Sequence, residues 1–256
     1  MAVDNAIVTL LVRMFHFPER AMFNRVVAKE NFVKSNRINK LKKELITKII
    51  QQINWVFIFK KSTTNIAEAN EPQLPIKEID FLTIDVRGDG KANAAIASSI
   101  LDVLPNPAIL QFNWEVDSTP MYQWFMADYQ VKKNTEFFEV SQIYASKALL
   151  SDELPAFARY VGLNQQDTSN MFRFYESILE NMERFKFLGG KEDDTYLADA
   201  ADEYRKLNKK IEVLNEKIIK LQAQAKKEKQ LNKRAMLVKK VRELMKQLED
   251  IKKEHK

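Results

Sequence analysis

Apolar residues recur along the last quarter of the chain in steps of three and four. From Ala198 onward almost sixty residues pass without a Gly or a Pro. Tyr204, Leu207, Ile211, Leu214, Ile218, Leu221 and Ala225 form one series; Leu237, Val241, Leu244, Leu248 and Ile251 form a second. This alternation fills the a and d positions of a heptad, so long helices are expected. The two series are out of phase. The last a position of the first falls at 225 and the first of the second at 241, sixteen residues apart and two more than two heptads. One continuous seam would rotate away from its partner there. Between the series lies Lys226-Lys227-Glu228-Lys229-Gln230-Leu231-Asn232-Lys233-Arg234, almost free of apolar residues. The pattern favours two antiparallel helices with a turn near 228–233, with one kinked helix as the alternative.

Upstream the pattern is mixed. Residues 1–16 read as a strand or a short helix, broken by Phe15-His16-Phe17-Pro18. Phe23 to Phe32 has no clear period. Ser35 or Asn36 is expected to cap a helix with Ile38, Leu41, Leu45 and Ile49 on one face and lysines opposite. Ile53–Phe59 is β-branched and aromatic and reads as a central strand; Ile76–Val86 reads as a second. Lys91–Leu104 is rich in small residues and reads as a helix stopped by Pro105 and Pro107. Pro107–Trp114 and Met121–Tyr129 read as strands joined through Asp117-Ser118-Thr119-Pro120, and Glu136–Val140 as a short fifth. The helix between the second and third strands allows a right-handed crossover. After Ser151 the pattern is helical, with Asp167 or Thr168 capping a helix that runs to Arg184.

The expected architecture is therefore α+β. It is a mostly antiparallel sheet of four to five strands with helices packed on one face, followed by a long-helix hairpin or coiled coil. Gly189-Gly190 and the acidic residues after it mark a linker, dividing the chain into a globular domain (1–188), a linker (189–197) and a helical arm (198–256).

Charge sharpens this division. Residues 199–256 hold 18 Lys/Arg against 10 Asp/Glu, a balance of +8; residues 1–198 hold 23 against 25. The whole basic excess lies in the arm, which points to nucleic acid or an acidic protein as partner. A solvated coiled-coil face is the alternative. The chain has no cysteine, so it has no disulfide, thiolate metal site or thiol nucleophile. That composition, with no signal-peptide pattern, implies a cytoplasmic protein. The apolar run Ala6–Val12 is too short to span a bilayer, so no membrane contact is expected.

Candidate chemistry is sparse. The only histidines are His16 and His255, which argues against a histidine relay or a His metal cluster. Arg87-Gly88-Asp89-Gly90-Lys91 lies between a strand and a helix but matches no phosphate-loop or dinucleotide spacing. A divalent-metal nuclease would need two or three acidic oxygens and a Lys on adjacent strands. Glu78, Asp80 and Asp85 are the candidates, with Glu78 and Asp80 on one face and Asp85 on the other. Asp85-Val86-Arg87 resembles an acidic-x-Lys signature with Arg in place of Lys, and Arg is a poor base. Charges at the edge of a half-exposed strand are the simpler account. The strongest binding candidate is the basic turn: Lys226, Lys227, Lys229, Lys233 and Arg234 against Glu228 give +4 within nine residues. Arg25 and Lys29, with Phe23 and Phe32, form a second basic-aromatic candidate. No metal and no cofactor are expected.

Several segments resemble a prokaryotic domain-of-unknown-function family numbered 4391. They are Phe23-Asn24-Arg25 with Lys29 and Phe32; Ile53-Asn54-Trp55 running into Lys60 and Thr64-Asn65-Ile66; Ile79-Asp80-Phe81 to Val86; Leu104-Pro105 before Ile109-Leu110-Gln111-Phe112; and Lys227-Glu228-Lys229-Gln230 with Asn232, Lys233 and Leu237. The segment before Phe15 departs from the family pattern. The resemblance implies little biochemistry, because the family has no assigned activity to carry over. It implies a neighbourhood of helicases, DNA methyltransferases and restriction or phage-defence proteins. The function expected is that of a non-catalytic accessory or adaptor protein in a DNA-handling or defence complex. It would bind a helicase, methyltransferase or other defence subunit, or nucleic acid, through the arm. A divalent-metal nuclease and a coiled-coil homo-oligomer are the alternatives.

Overall fold

The computed structural model describes residues 5–69, 74–131, 138–189 and 201–254. In chain order the elements are α1 (Asn5–Phe15), β1 (Met22–Val26), α2 (Glu30–Val33), α3 (Lys40–Ile49), β2 (Ile50–Lys60), α4 (Lys61–Thr64), β3 (Glu78–Val86), α5 (Asn93–Leu101), β4 (Ala108–Val116), β5 (Thr119–Val131), β6 (Phe138–Ala145), β7 (Leu149–Leu150), α6 (Leu154–Val161), α7 (Met171–Leu188), α8 (Ala201–Lys227) and α9 (Leu231–Glu254). The chain divides into two compact units, residues 1–185 and 186–256.

The first unit is α+β. Among the described residues its strands form one sheet in the order β1-β2-β3-β4-β5-β6, with β7 added beside β5. Neighbours are antiparallel except β3 and β4, which are parallel and joined through α5 as a crossover requires. The sheet is thus mixed and larger than the four or five strands expected. The additional strands lack the usual signal for physical reasons. β1 is an edge strand exposed on both faces, so nothing forces its side chains to alternate. β7 is only two residues long.

Helices cover both faces of the sheet, not one. Phe17, between α1 and β1, packs edge-on against Phe57, Phe59 and Phe81, while Phe15 of α1 and Phe157 of α6 pack on Trp124. Phe174 of α7 meets Phe59 on the same side. The alternation of β4 and β5 sends Phe112 and Phe125 to the opposite side, where they pair at 5.0 Å. That side carries α5 and α3, tied by a Lys42–Asp102 ion pair of 2.7 Å. The ambiguous N-terminal stretch is helical over Asn5–Phe15, and Leu11 and Phe15 are fully buried. His16 is exposed and left-handed at φ 56°, where α1 ends.

Two caps differ from expectation. Asn39 starts α3: its Oδ1 accepts the Lys42 N–H at 3.0 Å. Asn170 starts α7, accepting from Arg173 N at 2.9 Å, while Asp167 closes a local turn onto Ser169 N instead. In both cases the residue directly before the apolar periodicity takes the cap.

β4 and β5 are joined by two residues, Asp117 and Ser118, since Val116 pairs with Thr119. Both are left-handed, with φ 50° and 63°. This geometry matches the twist of a hairpin but favours Asn-Gly. Left-handed backbone costs an L-residue about 1–2 kcal/mol, of which glycine's extra unfolded-state freedom takes back about 0.5–1. Ser118→Gly is therefore expected to raise the urea midpoint by a gain of up to about 1 kcal/mol.

The second unit contains α8 and α9. Every residue of the two heptad series is buried or half-buried. Leu207, Leu214 and Ile251 form one cluster, joined by Tyr204, Ile211, Leu244 and Leu248. The cluster links the first half of α8 to the second half of α9. The helices break at Glu228–Gln230, where Glu228 Oε1 accepts the Gln230 N–H at 2.8 Å. The expected linker lies outside the described residues except for Gly189. Among the described residues no helix is long and apolar enough to cross a membrane.

Candidate functional site

The three acidic candidates do not converge. Asp80 faces Ile58 and Ala108 across the sheet, whereas Asp85 faces Gln52 and Asn113. Five residues of strand separate them by roughly 17 Å and turn them to opposite faces. Glu78 and Asp80 do meet. Asn106 Nδ2 donates to Glu78 Oε1 at 3.1 Å and to Asp80 Oδ2 at 3.3 Å. Asp80 is fully buried, and its Oδ1 has no hydrogen-bond partner among the described residues. Burial first and the charge of Glu78 second push its carboxyl up to about 8, so it is largely protonated at neutral pH. Among the described residues no group of three His, Cys, Asp or Glu side chains is placed to hold a metal.

Asp85 belongs to a different constellation. Two polar ranks cross one sheet face at the carboxyl ends of the parallel pair. One rank is Asn54, Thr83, Gln111 and Trp124; the other is Gln52, Asp85, Asn113 and Tyr122. Trp124 Nε1 donates to Gln111 Oε1 at 3.0 Å, Gln111 Nε2 to Asn113 Oδ1 at 2.9 Å, and Asn113 Nδ2 to Asp85 Oδ1 at 2.8 Å. On the flank, Gln52 Nε2 donates to Asn54 Oδ1 at 2.6 Å and Asn54 Nδ2 to Thr83 Oγ1 at 3.2 Å. Asn54, Thr83 and Gln111 are buried in an otherwise apolar layer rich in Phe and Trp. Above the second rank opens a cleft of about 680 Å³, lined by Asp85, Arg87, Gln111, Asn113, Glu115 and Tyr122 among others.

Sequence reading missed this cleft. The available signal was a polar pair two residues apart on three strands that turn out to be neighbours: Gln52/Asn54, Thr83/Asp85 and Gln111/Asn113. The loop beside it is held by Gly90. At φ 77°, a Cβ there would lie 2.8 Å from the Trp114 ring. Gly90→Ala is expected to destabilise the domain by about 1–3 kcal/mol, read as a fall in the urea midpoint.

The basic candidates separate as well. Lys226, Lys227, Lys229, Lys233 and Arg234 are all exposed, and none forms an ion pair among the described residues. They flank the α8–α9 break. Leu231 and Met236 are exposed beside them, at 80% and 64%. Lys227, Lys233, Lys240, Met236 and Leu237 line a cavity of about 520 Å³. Arg25 is exposed on edge strand β1, its guanidinium 4.8 Å from the Phe23 ring centre. Lys29 is not a free cation, because its Nζ donates to the Ile50 carbonyl at 3.0 Å. Phe32 is buried, so the basic-aromatic surface expected around these residues reduces to Phe23 and Arg25.

A family model described as a domain of unknown function, DUF4391, matches residues 15–248. No curated protein and no solved structure matches the chain.

Proposed function

The chain belongs to the DUF4391 family, and we propose that it is a non-catalytic accessory protein that contacts nucleic acid through a basic helical hairpin. Its setting would be a DNA-handling or antiphage-defence assembly, with a helicase, methyltransferase or other defence subunit as partner. The observation that carries the reading is the set of five exposed cations around the α8–α9 break, unneutralised by any ion pair among the described residues. Cations that serve a fold are usually paired or laid along the surface; an unpaired cluster at a helix–helix connection is suited to phosphates.

The heptad residues are buried or half-buried within one chain, which favours this reading over a seam that joins two copies. Leu231, Met236 and the cavity beside Lys233 favour a second reading, in which the same surface docks an acidic, partly apolar segment of a partner protein.

Fluorescence anisotropy of a short labelled duplex tests the first reading. Binding at low salt that disappears at high salt supports it. No binding at low salt removes it, and leaves the protein-partner reading to be tested by co-purification from the native source.

A further inference from the structure

The cleft above the second polar rank plays no part in the arm's proposed role, and it has the attributes of a ligand site of its own. We propose that it binds a nucleotide, with base and ribose over Asp85, Asn113 and Tyr122 and the phosphate at Arg87 and the Gly88 turn.

From Trp124 through Gln111 and Asn113 each N–H donates toward Asp85. The relay fixes both amides and ends on a carboxylate in the cleft wall. Glu115, two residues beyond Asn113 on the same strand face, brings a second acceptor group. Arg87 follows Asp85 by the same step. It is exposed, it lines the cleft, and its guanidinium offers donors only.

A complementary ligand therefore presents hydrogen-bond donors at one end and an anion at the other. Between them stands Tyr122, on the same sheet face as Asn113, and its ring suits stacking on a flat ring. A nucleoside monophosphate has these parts: ribose hydroxyls and ring or exocyclic N–H groups, a planar base, and a phosphate. The volume of about 680 Å³ suits a ligand of that size. An aliphatic or acidic amino acid carries both charges but no ring, and would leave most of the space empty.

Position agrees with chemistry. The cleft lies outside the carboxyl ends of the parallel strands β3 and β4, where the chain leaves β3 through a glycine turn toward α5. Gly88 lines it at φ 92° with nothing near its missing side chain, so the backbone there is open to a phosphate.

The test is isothermal titration of the full-length protein with AMP, GMP, CMP and UMP, the matching nucleosides, ribose 5-phosphate, inorganic phosphate and glutamate. At least one monophosphate is expected to bind saturably and more tightly than phosphate, ribose 5-phosphate or glutamate. Asp85→Asn, nearly isosteric, should weaken the monophosphate and its nucleoside about tenfold or more. Arg87→Ala, at an exposed position that leaves folding intact, should weaken the monophosphate about tenfold and leave the nucleoside unchanged. Glutamate at Lys226, Lys227, Lys229 and Lys233 should leave nucleotide affinity unaltered, which separates this site from the arm. The proposal is overturned by the absence of saturable binding at millimolar nucleotide. Binding that survives both Asp85→Asn and Arg87→Ala, or that phosphate or glutamate reproduces, overturns it equally.

Discussion

Replacing Lys226, Lys227, Lys229 and Lys233 together by Glu is expected to lower affinity for duplex DNA by roughly a thousandfold at low salt. The substitution turns four exposed cations, unpaired among the described residues, into anions where the arm's charge is most concentrated. Each Lys that neutralises a phosphate releases a counterion on binding, and each Glu both removes that gain and adds repulsion. The fold should tolerate the change, because Glu and Lys have similar helix propensity and none of the four side chains is buried. Lys226 and Lys227 lie in the last turn of α8. There an acidic residue opposes the helix dipole and costs about 0.3–1 kcal/mol each. A matched Gln variant at the same four positions separates the two effects. It should lose most of the DNA affinity while keeping the melting behaviour of the wild type. Circular dichroism melts alongside anisotropy titrations check both halves.

A second large effect concerns stability and pH. Asp80 has its carboxyl raised to about 8 in the folded protein, by burial and by Glu78, from an ordinary value near 3.8. Between about pH 4 and pH 8 the unfolded chain has released this proton while the folded chain still holds it. The folded state binds the extra proton, so stability falls as pH rises, by at most about 1.4 kcal/mol per unit, and levels off above about 8. Asp80→Asn removes the titration and keeps an oxygen for Asn106. The variant is expected to gain on the wild type steadily from pH 5 to pH 8 and to be clearly more stable at pH 8. Glu153 and Asp167 are shifted the other way, downward. Glu153 is held down by the Lys147 ammonium and Leu150 N–H against its burial, and Asp167 by bonds from Ser169. Their contribution is the same in both proteins, so the difference between wild type and variant isolates Asp80. Urea titrations across that range decide the matter; parallel pH profiles would refute the assignment of a neutral, buried Asp80.

Much of the architecture was legible. The β-branched and aromatic run of β2 and the small residues of α5 each have one physical reading, and the phase shift near 228 has two, a turn or a kink. The structure places a strand, a crossover helix and a helix break at those points. The family resemblance, carried by short motifs in order, agrees with a match that covers most of the chain. What escaped reading depends on pairing across the sheet. Edge strand β1 needs no alternation, so its sequence shows none. The opposite facing of Asp80 and Asp85 is an exception, since strand alternation alone predicts it and the register agrees. Lys29 reads as a surface cation until the Ile50 carbonyl is placed beside it. The polar ranks of the cleft become visible only once the register sets Thr83 against Gln111 and Asp85 against Asn113. Each strand alone shows two unremarkable polar residues.

The most direct test of the central claim is the salt dependence of duplex binding, measured for the wild type and for the four-lysine Glu variant. If the basic turn makes about four phosphate contacts, the logarithm of the wild-type affinity should fall with the logarithm of salt concentration at a slope of roughly −3 to −4. That slope should collapse toward zero in the variant together with the affinity. A wild-type affinity that does not change with salt, or a slope that is the same in both proteins, contradicts the account.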